Sequence, residues 1–235
     1  MDSVTHKNKR ERWILAGLLL LCVVPVAAGL ARVGQLAGGA NVTAENARFF
    51  ASPLPVVLHI LALIPYSILG AFQFIPGLRR RRPRWHRAIG RILIPCGLIV
   101  ALSGLWMTLF YPWPAGDGEL LYLMRLMVAP AMAFSILWGA AAIRRRDFTQ
   151  HGAWMLRAYA IGMGAGTQVF THLPWLLFMG ADVVPDELSR ALMMGAGWLI
   201  NILVAEWIIR RRLARRFRPQ PHVVLKPELQ AKPQI

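Results

Sequence analysis

Long apolar stretches alternate with short polar segments along the whole chain. Six stretches carry few or no charges, and each is long enough to cross a bilayer, because about 20 helical residues rising about 1.5 Å each cover a hydrocarbon core of about 30 Å. The pattern therefore predicts an all-α fold, an integral membrane bundle of six transmembrane helices. The predicted spans are residues 13–30, 54–78, 92–111, 120–143, 158–179 and 191–209.

The composition agrees with this pattern and excludes an ordinary soluble domain. Apolar residues make up 56% of the chain and charged residues only 16%. The formal net charge of +16 does not indicate nucleic acid binding, because the arginines lie at the ends of apolar stretches. We predict a cytoplasmic N-terminal segment (1–12), a membrane domain (13–212) and a basic, then disordered, cytoplasmic tail (213–235). Residues 13–30 could be a cleaved signal peptide, but an uncleaved first span is the better interpretation.

The distribution of basic residues predicts the orientation. With six spans, 23 of the 27 lysines and arginines fall in the termini and in the second and fourth loops, and three fall in the other loops. Cationic segments stay in the cytoplasm, so we expect both termini there, in a bacterial inner (plasma) membrane. The loop at residues 79–91 holds seven arginines, which we expect to contact anionic lipids.

Two histidines within the spans suggest a redox cofactor. His59 in the second span and His172 in the fifth lie at depths that agree within about one helical turn. Paired imidazoles across a bundle are the axial ligands of b-type haem, so we hypothesise a haem b that His59 and His172 ligate, with Arg125 pairing a propionate. The alternative is that both histidines are structural hydrogen-bonding groups or proton relays.

A second pair of histidines, His86 and His151, lies at the predicted cytoplasmic boundary. An inner haem there would have Arg91 or Arg157 as its propionate partner. His151 and His172 would be about 31 Å apart along a helix, too far for good electronic contact between two haems, so a single outer haem is the better version. The simpler interpretation is that His86 and His151 anchor the chain at the lipid interface.

Two other polar side chains fall within or at the end of spans. Glu206 precedes Arg210 by four residues, a spacing that favours an intrahelical ion pair; otherwise Glu206 would pair with Arg91 or Arg157. Gln73 is expected to form a hydrogen bond between helices. The chain contains none of the common hydrolase, phosphate-loop or zinc-binding motifs.

Two other functions are alternatives to haem-binding electron transfer. The first is a small-molecule or proton-coupled transporter, in which Gln73, Glu206, His59 and Arg125 would line a polar path. The second is an assembly protein that binds anionic lipid or a protein partner through its basic face. The protein partner that we expect is either a membrane redox partner or a second copy of the chain.

Three motifs resemble those of a bacterial family of predicted membrane proteins. They are His59 followed by residues 70–74 (GAFQF), then His-Arg-x-x-Gly-Arg from residue 86, and His-x-x-Trp-Met-x-Arg-x-Tyr-Ala from residue 151. The resemblance covers residues 55–175 and departs at Ala71, where proline is usual, and at residues 152–153, where a basic pair is usual. It implies a multi-span membrane fold and no known activity. The histidine spacing is also loosely similar to that of transmembrane b-type cytochromes.

Overall fold

The computed structural model describes residues 2–180 and 182–216. Its regular elements are all α-helices, as predicted. In chain order the helices are α1 (Asp2–Ala37), α2 (Ala47–Ala51), α3 (Pro53–Gln73), α4 (Pro76–Arg81), α5 (Pro83–Phe110), α6 (Glu119–Arg144), α7 (Phe148–Gly162), α8 (Gly164–Met179) and α9 (Glu187–Arg216). The predicted disorder of the tail concerns residues 217–235, which lie outside the described part of the chain.

Within residues 2–180 and 182–216, five helices are long and apolar enough to cross a membrane, where we predicted six. They are α1, α3, α5, α6 and α9. The predicted fifth span is instead divided at Met163 into α7, of 15 residues, and α8, of 16 residues. Neither half alone reaches the roughly 20 residues that a hydrocarbon core requires.

Close contacts at three glycines, and a hydrogen bond from Asn201 of α9, stabilise this division. Tyr66 packs on Gly162, Trp198 on Gly164 and the backbone carbonyl of Leu21 on Gly166. In a continuous helix the carbonyl of Ala160 would accept from the N–H of residue 164. Here it accepts instead from Asn201 Nδ2 of α9 at 3.0 Å. The helix therefore breaks without leaving that carbonyl unpaired.

The long helices surround the C-terminal part of α7. Helix α1 packs on α3 and α8, α3 on α5, α5 on α6, and α9 joins α6 to α8, so these helices close a ring. Helix α7 contacts α3, α5, α6, α8 and α9. Four consecutive residues of α7, 158–161, are buried. A helix buried on all sides lies in the interior of a bundle.

The core lies where α3 and α7 meet. Tyr159 donates a hydrogen bond to the carbonyl of Ser67 at 2.8 Å, and its ring lies 6.0 Å from that of Tyr66. Ile136 and Met132 of α6 complete the same buried cluster. Many large apolar side chains on the outer surface of the bundle are exposed, as expected of surfaces that a bilayer covers.

The basic segment at residues 79–91 is not a loop. Helix α4 ends at Arg81, and α5 begins at Pro83, so His86 and Arg91 lie on a helix. Proline at the first position of a helix has no N–H to leave unpaired, which explains why α5 begins at Pro83. We call this end of the bundle, with residues 79–82, 144–146 and 210–212, the arginine end.

The glycine at the helix break gives a test of this packing. Alanine at Gly166 would place a methyl group against the carbonyl of Leu21. Because a backbone oxygen cannot rotate away, α1 has to shift, and we expect Gly166→Ala to lower the free energy of unfolding by about 1–3 kcal/mol. The measurement is a titration of the purified protein in mild detergent with a denaturing detergent.

Gly152→Ala is the control. Gly152 lies within α7 and has nothing within 4 Å of an added Cβ. We expect this substitution to raise stability by up to about 1 kcal/mol, because alanine loses less backbone entropy in a helix. Equal effects of the two substitutions would contradict the close approach of α1 to α8.

Candidate ligand-binding cavity

A cavity of about 400 Å³ opens into the bundle at the end opposite the arginine end. Its walls come from α3, α5, α6, α9 and the junction of α7 with α8. Helix α2 and the loop between α5 and α6 line its mouth. Met132, half-way along α6, is among the lining residues, so the cavity reaches the middle of the bundle. Small-molecule pockets have volumes of about 300–1,000 Å³.

Two arginines from different helices pair with one carboxylate at the mouth. Asp117, in the loop between α5 and α6, has a side chain only 2% exposed. Its Oδ1 accepts from Arg190 Nε of α9 at 2.7 Å, and its Oδ2 accepts from Arg125 Nη1 of α6. The carboxylate thereby joins the loop to both helices.

A third arginine, Arg48 of α2, also lines the mouth. Its guanidinium lies 4.7 Å from the centre of the Phe49 ring, and the described residues provide no carboxylate within 4.0 Å of it. Burial lowers the pKa of Arg48; the charge of Asp117 opposes this shift, whereas the charges of Arg32, Arg125 and Arg190 add to it. Arg48 is therefore a partly desolvated cation without a full counter-charge.

His59 of α3 lines the wall, and its hydrogen bonds determine which ring nitrogen carries the proton. Its Nδ1 lies 3.0 Å from Ser103 Oγ, and that hydroxyl lies 2.5 Å from the carbonyl of Ile99. A carbonyl can only accept, so the serine hydrogen is directed to Ile99. Nδ1 of His59 must then donate to Ser103, which leaves Nε2 of the neutral ring unprotonated.

The other residues of the predicted outer site are only partly brought together. Arg125 lines the same cavity as His59, although Asp117 already pairs with it. His172 is not among the lining residues; its Nδ1 lies 2.7 Å from the carbonyl of Gln168 in its own helix. Ligation of one haem by His59 and His172 stays a prediction.

At the arginine end, His151 Nδ1 donates to the carbonyl of Gly139 at 2.9 Å. His86 Nδ1 and Gln73 Nε2 are buried without a partner among the described residues. The amide nitrogen of Gln73 therefore takes no part in the hydrogen bond between helices that we predicted for this side chain. Arg91 is exposed.

Glu206 pairs with Arg157, not with Arg210 as we first expected. Arg157 donates from Nε to Oε1 at 2.5 Å and from Nη2 to Oε2 at 3.1 Å, the two-bond geometry that arginine favours with carboxylates. Glu206 and Gln73 are not among the residues that line the cavity. Of the four residues predicted to line a transport path, only His59 and Arg125 therefore line this cavity.

Sequence reasoning missed four contributors to this site: Arg48, Asp117, Gln168 and Arg190. Asp117 and Arg190 are 73 positions apart, and no sequence pattern connects them. A usable signal was nevertheless present for the arginines. Arg48 and Arg190 are among the few cations that lie outside the basic segments.

The fold and the cavity define the class of this chain as a multi-span α-helical membrane protein with a polar-mouthed internal cavity. It belongs to the family described as Predicted membrane protein (DUF2306), whose model matches residues 56–209, well over half of the chain. The match includes the walls of the cavity from α3 to α9. No curated protein and no solved structure matches the chain.

The buried carboxylate at the mouth should be important for stability. We expect Asp117→Asn to lower the free energy of unfolding by about 3 kcal/mol, because it leaves two partly buried arginines without their counter-charge. Asp147→Asn is the matched control, since Asp147 caps α7 from an exposed position and asparagine caps helices equally well. The measurement is a denaturant titration of both variants. Equal losses in the free energy of unfolding would contradict the pairing of Asp117 with the two arginines.

Proposed function

We propose that the protein binds an amphipathic anion in this cavity, at the outer face of a bacterial inner membrane. The single observation that carries this proposal is the excess of positive charge at the mouth. The lining includes Arg48, Arg125 and Arg190 but one carboxylate, that of Asp117. An acidic group in the mouth would supply the missing counter-charge, and charged groups away from water need such a partner.

The wall below the mouth supports an apolar body for the ligand. Leu63, Val100, Met132, Ile161 and Trp198 line it from five different helices. Burying apolar surface against such side chains contributes about 25 cal/mol per Å². An acid with a hydrocarbon body fits both parts of the cavity, whereas a small inorganic anion would leave the apolar part unfilled.

The proposed orientation follows from the charge asymmetry of the loops. The arginine end faces the cytoplasm, where its side chains meet anionic lipid head groups, and the cavity opens on the other side. In the proposed orientation α7 and α8 together form the sixth crossing, and both termini lie in the cytoplasm. The ligand then enters from outside the cell or from the outer leaflet.

Arg48 gives the sharpest test of the proposal. The probes are decanoate and its uncharged analogue decanol, titrated into the full chain in lipid nanodiscs by calorimetry. We expect decanoate to bind more tightly than decanol, and Arg48→Gln to weaken decanoate binding about tenfold, because a hydrogen bond to a charged group contributes about 1.5–3 kcal/mol.

Arg32→Gln is the matched control. Arg32 lies over the same Phe49 ring, at 4.4 Å, but it is not among the residues that line the cavity. We expect its decanoate affinity to equal that of the natural protein. The cavity is excluded as the anion site if decanoate does not bind. It is also excluded if Arg48→Gln and Arg32→Gln change the decanoate affinity equally.

A specific observation also favours the haem hypothesis as a second candidate. Histidines that ligate metals commonly donate their other ring N–H to a neighbouring acceptor, and His59 donates from Nδ1 to Ser103 in a cavity that also contains Arg125. His59 would hold the iron through Nε2, and the haem would supply one-electron redox chemistry.

The absorption spectrum of protein purified from haem-sufficient cells tests this second candidate. We expect a Soret band that His59→Ala removes. A Soret band that His172→Ala also removes would support the predicted pair of axial ligands. Protein without a Soret band, or with one that survives His59→Ala, would refute haem ligation at this position.

A further inference from the structure

Three polar side chains in the helical walls of the cavity donate a hydrogen bond to another part of the protein and keep acceptor capacity. They are His59 of α3, Thr108 of α5 and Gln168 of α8. His59 donates from Nδ1 to Ser103, as the geometry of that serine requires. Its Nε2 therefore has a lone pair and no hydrogen to offer.

Thr108 and Gln168 also donate within the protein, Gln168 with one of its two amide hydrogens. Thr108 Oγ1 donates to the carbonyl of Gly104 at 2.8 Å, and Gln168 Nε2 donates to the carbonyl of Met194 at 3.0 Å. Because a carbonyl accepts only, the amide nitrogen of Gln168 must face Met194, and its Oε1 must face away. Each side chain keeps acceptor capacity that no other described residue uses.

The mouth has the opposite hydrogen-bonding character. Its guanidinium groups, from Arg48, Arg125 and Arg190, carry donors and no acceptors. Trp198 also lines the interior, but the Cδ1 and Nε1 edge of its indole packs on Gly164 of α8. The cavity therefore offers arginine donors at its mouth and acceptors at His59, Thr108 and Gln168 in its walls.

We infer that the ligand is an amphipathic acid that carries at least one hydroxyl or amide N–H group within its otherwise apolar body. Its acidic group meets the arginines, and its donor meets His59 Nε2, Gln168 Oε1 or Thr108 Oγ1. A purely hydrocarbon body would bury these acceptors without partners, which costs free energy. This inference rests on the proposed function and specifies its ligand class.

The test compares decanoate with its positional hydroxydecanoate isomers by calorimetry, using the full chain in nanodiscs. We expect at least one isomer to bind about fivefold more tightly than decanoate, the effect of one additional hydrogen bond. His59→Phe, Thr108→Val and Gln168→Met each remove one acceptor. At least one of them should abolish the preference for that isomer while decanoate still binds.

Thr171→Val is the control, because Thr171 donates to the carbonyl of Met193 and is not among the residues that line the cavity. It should keep the preference. Membrane partitioning of the isomers is the same for every variant, so it cannot produce a difference between them. The three substitutions lie on three helices, and Thr108→Val preserves shape, so misfolding of one variant leaves the others informative.

The outcomes separate the two proposals. If decanoate binds and no isomer binds more tightly, or if the preference survives all three substitutions, the inference about the donor is wrong and the anion site stands. If neither decanoate nor any isomer binds, the proposed function fails, and the inference fails with it.

Discussion

Backbone N–H and C=O groups at membrane depth have to find partners within the protein, since hydrocarbon offers none. The break between α7 and α8 is where this constraint is most demanding. It leaves the carbonyl of Ala160 without its helical partner, and Asn201 donates a hydrogen bond to this carbonyl instead. Thr167 of α8 donates to the oxygen of the same asparagine at 2.8 Å. One amide side chain of α9 therefore joins both halves of the broken helix.

The position of the cavity follows from that arrangement. Ile161 and Gly162 end α7, Ala165 and Gln168 belong to α8, and all four line the cavity. The helix ends at Gly162 and begins again at Gly164, so the backbone is irregular at Met163. Irregular backbone at membrane depth is tolerated where it is enclosed by protein or lines a cavity. Both conditions are met at this junction.

Much of the fold could be predicted from the chain, because long uncharged stretches in one sequence leave few alternatives to membrane helices. The break at Met163 could not. Five helices contain an internal proline and remain continuous as elements, whereas the division has no proline at it. Its cause is the packing of Tyr66, Trp198 and Leu21 on successive glycines, contacts that no local pattern encodes.

The site was less predictable than the fold, for a related reason. His59 and Arg125 were identified because an ionisable group within a span is conspicuous. Their partners Ser103 and Asp117 were not, because each is an ordinary residue until the helices bring it to 3.0 Å from His59 or into contact with Arg125. Partnership depends on which helices are neighbours, and spans of similar hydropathy do not specify their neighbours.

The arginines outside the basic segments connect topology to the site. Four of the 27 basic residues lie outside the termini and outside the second and fourth loops of the predicted topology. They are Arg32, Arg48, Arg125 and Arg190. Arg48, Arg125 and Arg190 line the cavity, and Arg32 lies over the same Phe49 ring as Arg48 without lining the cavity. In the orientation that we propose, the other cations lie on the cytoplasmic side and need no ligand. The same orientation disfavours the remaining four arginines, and three of them, Arg48, Arg125 and Arg190, have a local cause in the cavity that they line.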